Sequence, residues 1–292
     1  MKALFLVNSR SGRGRRDDLR ALIDASWTDH HEILDCGAVE DLDAVIERAI
    51  ADRVEVVFAV GGDGTVHEIA KRLSGTSIAL GVLPTGSGNG FALHLGTPTD
   101  TRMALEACRD GSIVTIDMAD VNGTPFVGVM GVGLDAAIAH GFAASTTRGL
   151  RTYVNEGLRA FGSLKPEPFS IEIDGRREER QAVVVAVANS SQYGNNARIS
   201  PLASMQDGLL DVVIVENVPL VAAPLLLARL FTGTIDRSNL VSITQAREVT
   251  ICRAAAGQAH LDGEPVMLPA ELRVTVRPGA LRVLTPTPTT RI

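Results

Sequence analysis

The sequence predicts a three-layer α/β domain followed by a mainly antiparallel β-sandwich domain, and three observations support this. Through the first third, short apolar runs alternate with helical patterns, as parallel strands joined by crossover helices require. Two of those runs, Val54–Val60 and Ile78–Leu83, lead into glycine-rich turns. Beyond about Asp117 the texture changes to short β-rich segments, with NG, DG and PG turns between several of them.

The chain opens on the strand Ala3–Val7, an apolar run too short for a signal-peptide core or a membrane span. A helix from about Asp17 to Ala25, the strand His31–Leu34 and a helix over Val39–Ala51 follow. The run Val54–Val60 is rich in β-branched residues and almost unbroken in apolarity, which suits a central parallel strand covered on both faces. The helix Val66–Leu73, the strand Ile78–Leu83 and the helix Thr101–Arg109 complete a first domain over residues 1–117.

The second domain, residues 118–280, takes its strands from Ile113–Val121, Pro125–Val132, Phe169–Ile173, Ala182–Ala188, Leu210–Val215, Leu240–Ile243, Val249–Ile251 and Leu272–Val276. A last strand, Leu281–Val283, lies in a tail (281–292) that can return to the first domain, and Thr285–Thr290 reads as a loose terminus. The run Val218–Phe231 holds two prolines and an arginine and falls short of the ~20 residues of a spanning helix. It reads as a helix with Pro219 near its start and an apolar face buried on the second domain; contact with a membrane surface or acyl chains is the alternative.

Composition narrows the function classes. A net charge of −6 argues against a protein that binds nucleic acid by neutralising phosphates. The three cysteines, Cys36, Cys108 and Cys252, are widely spaced without a CxxC pair, which suggests reduced thiols and no zinc site.

Chemistry concentrates in the glycine turns. In VEVVFAVGGDGTVHE, Val54–Glu68, the glycines Gly61, Gly62 and Gly64 allow close approach of a ligand, and Thr65 can cap the next helix and aim its first N–H groups at an anion. Asp63 is the one carboxylate in that turn, and an acid beside phosphates is unfavourable unless a metal, a proton or catalysis requires it. The second loop, Pro84–Ala92 (PTGSGNGFA), adds three glycines with Thr85, Ser87 and Asn89. Two such loops at the C-terminal ends of neighbouring parallel strands face the crevice where open α/β sheets bind ligands.

Together with NSRSG (Asn8–Gly12) and LDGE (Leu261–Glu264), the segments GGDGTVHE (Gly61–Glu68) and PTGSGNGFA resemble the four signature regions of the diacylglycerol kinase catalytic-domain superfamily. That superfamily includes soluble bacterial lipid kinases, sphingosine kinases and ceramide kinases. The resemblance implies an α/β nucleotide-binding domain, a β-rich lipid-substrate domain and an active site between them. It implies ATP- and Mg²⁺-dependent transfer of the γ-phosphate to a hydroxyl of diacylglycerol, a sphingoid base or a ceramide-type lipid.

On this reading Asn8, Ser9 and Gly12 meet the nucleotide, and Gly61, Gly62, Gly64, Thr65, Ser87, Gly88 and Asn89 cradle its phosphates. The arginines Arg10, Arg13, Arg15 and Arg16 either hold phosphates or form an exposed basic loop. The Glu of LDGE, Glu264, corresponds to the proton acceptor of bacterial lipid kinases, with Asp63 as its partner or, as in sphingosine-kinase-type enzymes, its replacement. Asp262 reads as a turn residue. Glu68 orients the glycine loop or answers the helix dipole. Asp117 matches an acidic position that helps hold the nucleotide's metal. In SMQDGLLD (Ser204–Asp211), Asp207 with the carbonyls of Ser204 and Leu209 matches a structural magnesium site, an ordinary DG turn being the alternative.

One position departs from the bacterial pattern: Asn89-Gly90 stands where an Asn-Asp pair is usual, which resembles sphingosine and ceramide kinases. Two other readings stay open, an NAD kinase-like enzyme and a catalytically silent nucleotide-binding protein of the same fold. The expected setting is cytoplasmic and transiently membrane-associated, with lipid met through Arg148, Arg151 and Arg159 on a helix from Thr147 to Phe161.

Overall fold

The computed structural model describes residues 1–9, 16–37, 41–144 and 166–286. Gly12, Arg10, Arg13, Arg15 and the expected helix Thr147–Phe161 with its three arginines lie outside them. Contacts divide the chain into two units, Met1–Ile116 with the segment from Gly279, and Asp117–Pro278.

In the first unit, β1 (Ala3–Val7), β2 (His31–Asp35), β3 (Val56–Gly61) and β4 (Ala79–Pro84) form a parallel sheet in the order β4–β3–β1–β2. Arg282 and Val283, near the end of β15 (Glu271–Thr285), run parallel along the other edge of β4. The helices are α1 (Arg16–Ser26), α2 (Leu42–Ala51), α3 (Asp63–Leu73), a short α4 (Gly90–His94) and α5 (Thr101–Arg109). Asp41 and Asp100 cap α2 and α5 by accepting from the amides of Ala44 and Met103. Helix α3 begins three residues earlier than the apolar pattern suggests, because Gly62 rather than Thr65 is its N-cap.

Every residue of β1, β3 and β4 is buried, as strands covered on both faces must be. Phe5 and Phe58 stack with centroids 4.5 Å apart, and Trp27 meets both rings edge-on at 5.8 and 5.1 Å. Gly81, the β4 neighbour of Phe58, leaves room for this aromatic cluster: a Cβ there would lie 2.4 Å from the Phe58 ring.

The second unit takes in part of β5 (Ser112–Val121), then β6 (Thr124–Phe126), β7 (Val129–Gly133), α6 (Leu134–Ala144), β8 (Glu167–Ile173), β9 (Arg176–Ala188), β10 (Leu210–Glu216), α7 (Ala223–Thr232) and a 3₁₀ turn at Ile235–Arg237. The strands β11 (Val241–Ala246), β12 (Glu248–Cys252), β13 (Gly257–Leu261), β14 (Glu264–Leu268) and the first part of β15 complete it. Strand β9 organises this unit: its first half pairs with β8, and its second lies between β7 and β10, all antiparallel. The apolar side chains of these strands close over cores centred on Phe126, Phe169, Val185 and Val187, and on Ala186, Ile199 and Val213.

Two readings need correction, and two elements carry no clear signal in the sequence. The expected strand Pro125–Val132 is broken into β6 and β7, because Val127 and Gly128 turn their amides to the carboxylate of Asp262. Helix α6 went unread because LDAAIAHGFAA has no polar stripe to mark an amphipathic period. The hairpin β13–β14 was also missed, its segments GQAHL and EPVML being too mixed to alternate cleanly. Finally, α7 starts at Ala223 with Pro224, not Pro219, in its first turn, and none of its residues is fully buried. Leu226 and Leu230 pack on the core, whereas Leu220, Val221 and Leu225 are 75%, 89% and 60% exposed.

The aromatic cluster sets the stability of the first unit. Phe58→Ala is expected to cost about 3–5 kcal/mol, read as a lowered denaturation midpoint. A loss below about 1 kcal/mol would contradict the tight packing around the Phe5 stack.

Candidate functional site

In the first unit, the C-terminal ends of β1 and β3 flank the point where strand order reverses, with β2 to one side and β4 to the other. Asn8 leaves β1 with its amide on Val60 O at 2.9 Å, and its Nδ2 donates to Thr65 Oγ1 at 2.9 Å. Thr65 is therefore tied to the first loop by its hydroxyl and does not cap the helix. Gly61 is needed there, since a Cβ at 61 would lie 2.3 Å from that same Oγ1. Ser9 is exposed beside Gly37.

The two glycine turns pack backbone on backbone. A Cβ on Gly86 would lie 2.5 Å from Gly62 Cα, and one on Gly88 would lie 2.8 Å from Asp63 Oδ2. Thr85 N–H donates to Gly61 O at 2.9 Å, which sets the turns side by side. Asn89 closes the second turn from the left-handed region (φ 54°): its Oδ1 accepts from Gly86 N–H at 3.1 Å and its Nδ2 donates to Gly86 O at 2.9 Å. Asp63 Oδ1 accepts from Phe91 N–H at 3.4 Å, so the acid of the first turn reaches across to the second.

The N-cap of α3, Gly62, makes no side-chain cap hydrogen bond, and Gly62 and Gly64 carry no Cβ to keep a ligand from the helix's first turn. This fits a phosphate-bearing ligand. Ser87 is exposed between Gly86 and Gly88, with its hydroxyl at the surface of the same turn. Glu68 is placed differently from the expectation. Its carboxylate lies on the exposed face of α3, paired with Lys71 at 2.6 Å and Arg72 at 2.7 Å, rather than against the glycine loop. Burial pushes this carboxyl up, but the hydrogen bonds and charges of Lys71 and Arg72 outweigh it and hold the group below its ordinary value.

In the second unit, LDGE forms the hairpin turn between β13 and β14. Asp262 and Gly263 both have positive φ, 53° and 84°, and Glu264 opens β14 as an exposed carboxylate. Asp262 does more than turn the chain: it accepts from the amides of Val127, Gly128 and Val129 at 3.0, 2.6 and 3.1 Å. Behind the turn sit His260, Asp135 and Tyr193, which the sequence reading did not single out. Their signal was a charged residue and a histidine set among small apolar neighbours, in GLDAA and QAHLD.

Asp117 and Asp207, read as ligands of two different metals, converge on one turn. Asp117 is 4% exposed; its Oδ2 accepts from Gly208 N–H at 2.8 Å, and its own N–H donates to Met205 O. Asp207 accepts from Leu209 N–H at 3.0 Å and, at 3.4 Å, from Gln245 Nε2. Burial raises the pKa of neighbouring Asp211; hydrogen bonds from Ser200 and Gln245 oppose this, and the charge of Asp207 adds to it. The donor set around Ser204–Leu209 is oxygen-only, which fits a hard divalent cation and excludes a thiolate or imidazole site. Among the described residues, no three His, Cys, Asp or Glu side chains converge to hold a metal by themselves.

Fold and turns together define an α/β protein with two interlocked glycine loops, joined in one chain to a β-sandwich unit that bears an LDGE hairpin. Residues 2–121 match the diacylglycerol kinase catalytic domain, and residues 128–285 match the YegS C-terminal NAD kinase beta sandwich-like domain. The chain is 31% identical over 261 residues to a diacylglycerol kinase of Mycobacterium tuberculosis, covering 86% of this chain and 83% of that one. It is 32% identical over 250 residues to a probable lipid kinase YegS-like of Klebsiella pneumoniae (strain 342), covering 80% and 82%. A solved structure of a diacylglycerol kinase from Bacillus anthracis str. Sterne shares the fold, with a TM-score of 0.73 and 20% identity over 99% of this chain and 98% of that one. The chain belongs to the diacylglycerol kinase catalytic-domain family, in the form that carries the YegS-type C-terminal domain.

The contact between the turns is testable by itself. Gly86→Ala is expected to lower stability by about 1–3 kcal/mol in denaturant unfolding, because its Cβ meets backbone that cannot move aside. Unchanged stability would mean that the turns do not touch.

Proposed function

We propose that the protein is an ATP- and Mg²⁺-dependent lipid kinase that transfers the γ-phosphate to a lipid hydroxyl. The observation that carries this reading is the pair of interlocked glycine turns with Asp63 held among them. That places an acid beside a turn suited to phosphate, where phosphoryl transfer has a use for one, and the family relationship supplies the reaction class. Gly62, Gly64, Thr65, Ser87, Gly88 and Asn89, with Asn8 and Ser9, hold the phosphates through N–H, hydroxyl and amide donors. Gly12 is assigned with them by resemblance alone.

Glu264 takes the proton of the acceptor hydroxyl while the acceptor oxygen bonds to the γ-phosphorus and the bond to the bridging oxygen breaks, releasing ADP. Asp63 is the partner of Glu264 or, in the alternative assignment, itself the proton acceptor. When bound, Mg²⁺ neutralises charge that develops on the transferred group; Asp63 and the nucleotide's own phosphates are suited to hold it, since Mg²⁺ is commonly bound through one or two carboxylates plus phosphate oxygens. Asp207 with the carbonyls of Ser204 and Leu209 would hold a second, structural cation, and Asp117 supports that turn from beneath.

The acceptor class is diacylglycerol, a sphingoid base or ceramide. The Mycobacterium tuberculosis relative favours the first, and Gly90 favours the others. No helix among the described residues is long and apolar enough to cross a membrane. We assign a cytoplasmic protein that meets its lipid at the bilayer surface, through Leu220, Val221 and Leu225. Arg198, Arg229 and Arg237 lie around the C-terminal end of α7, and among the described residues none of the three pairs with a carboxylate.

Labelled phosphate from ATP with Mg²⁺, offered to diacylglycerol, monoacylglycerol, sphingosine, ceramide and NAD, tests the reading. The expected result is one labelled lipid, with transfer reduced at least about 100-fold by Glu264→Gln and by Asp63→Asn. Label on NAD alone would make it an NAD kinase-like enzyme, and ATP binding without transfer would make it a silent binding protein. In flotation with phosphatidylglycerol-containing vesicles, Val221→Glu with Leu225→Glu is expected to leave the protein unbound while the unaltered protein floats. Equal flotation of the two would remove this face from the membrane.

A further inference from the structure

We infer that His260 and Asp135 form a buried positioning pair for Glu264, an inference that rests on the reading of Glu264 as proton acceptor. His260 lies on β13, 2% exposed, two residues before the turn that presents Glu264. Its Nδ1 is 3.3 Å from Gly263 N and its Nε2 is 3.2 Å from Asp135 Oδ2. A backbone N–H can only donate, so Nδ1 is the acceptor, and the ring proton sits on Nε2, where it donates to Asp135. One tautomer of neutral imidazole satisfies both contacts.

Asp135, 6% exposed at the start of α6, is held in turn. Its Oδ2 also accepts from Tyr193 O–H at 3.1 Å, and its Oδ1 accepts from Ala136 N–H at 2.8 Å. The ring of Tyr193 meets that of His260 edge-on, with centroids 5.6 Å apart. Gly131, which pairs with His260 across β7 and β13, leaves the space: a Cβ there would lie 1.7 Å from Asp135 Oδ2 and 2.8 Å from His260 Nε2.

The turn is therefore pinned on both of its left-handed residues. Asp262 is anchored by three amides of the β6–β7 bend, and Gly263 by the imidazole. Glu264 follows directly, and its own side chain is exposed. The direction in which its carboxylate leaves the sheet is set by the backbone of Asp262–Gly263, which His260 holds without touching substrate. A displacement of order 1 Å at a proton acceptor lowers turnover on the order of 100-fold.

Two substitutions separate the contacts. Asn places an amide oxygen near the position of Nδ1, and Gln places an amide nitrogen near that of Nε2. His260→Asn should keep the bond from Gly263 N–H and most of kcat. His260→Gln should keep the donor to Asp135, lose the Gly263 bond and lower kcat on the order of 10-fold to 100-fold, with KM for ATP and for the lipid unchanged. Amide hydrogen exchange at Gly263, followed by NMR, should be fast in His260→Gln and protected in His260→Asn.

A kcat that stays at the unaltered level in His260→Gln although Gly263 exchanges fast would overturn the inference. So would equal losses in both variants, or a loss carried by KM. Glu264→Gln assayed alongside keeps the two readings apart. If it is inactive while His260→Gln is fully active, the positioning role alone fails. If Glu264→Gln is itself active, the assignment of the proton acceptor fails and the positioning role falls with it.

Discussion

The first unit depends on a contact between two stretches of backbone. Gly62 and Gly86 approach so closely that the second turn has no space for a side chain at the junction, a Cβ on Gly86 lying 2.5 Å from Gly62 Cα. What makes this possible is the parallel sheet underneath. Strands β3 and β4 run in register from Val56↔Ala79 to Gly61↔Pro84, so both emerge at the same level. The Phe58–Gly81 pair keeps the sheet packed as the strands approach those turns. Once the turns touch, a left-handed Asn89 is the residue that can close the second with its own side chain, and Asp63 lies within reach of an amide on the far side.

A similar economy governs the second unit, where polar groups do the holding. Strand β9 runs through its centre, and the bend between β6 and β7 is stabilised from outside by Asp262 and from beneath by Asn189, which donates to the carbonyls of Asp117 and Val127. Partial burial of a carboxylate is favourable here because each oxygen of Asp262 meets backbone donors of the bend. The hairpin and the bend are thereby one hydrogen-bonded piece, although their residues lie about 135 positions apart in the sequence.

The fold class was legible because its signals are local. The runs Ala3–Val7 and Val54–Val60 declare buried strands, and glycine turns after strands declare a ligand-facing edge. Within the candidate site, the turns around Gly62 and Gly86 were legible for the same reason. What escaped was set by partners far away in sequence. Glu68 is the exception: its partners Lys71 and Arg72 stand three and four residues ahead, the spacing at which side chains on one helix meet, so that pairing was written locally. Asp262 looked like a plain turn residue because its three amide donors belong to another strand. His260 and Asp135 are isolated polar letters in apolar surroundings, and only the pairing of β7 with β13 brings them together. Helix α7 shows the opposite failure: its sequence looked like a core helix, yet the chain presents Leu220, Val221 and Leu225 outward.

Two glycines of the β6–β7 region each face a carboxylate contributed by another part of the chain: Gly128 faces Asp262, and Gly131 faces Asp135. Substitution at these positions is consequently coupled. A Cβ at 128 would lie 2.9 Å from Asp262 Oδ1 and displace it, and losing that acid strands three amides. At 131 the acid's departure would not suffice to admit a side chain, since His260 Nε2 would still lie 2.8 Å from a Cβ there. Each glycine is thereby coupled to the acid it faces, and a substitution at one member of a pair is felt at the other.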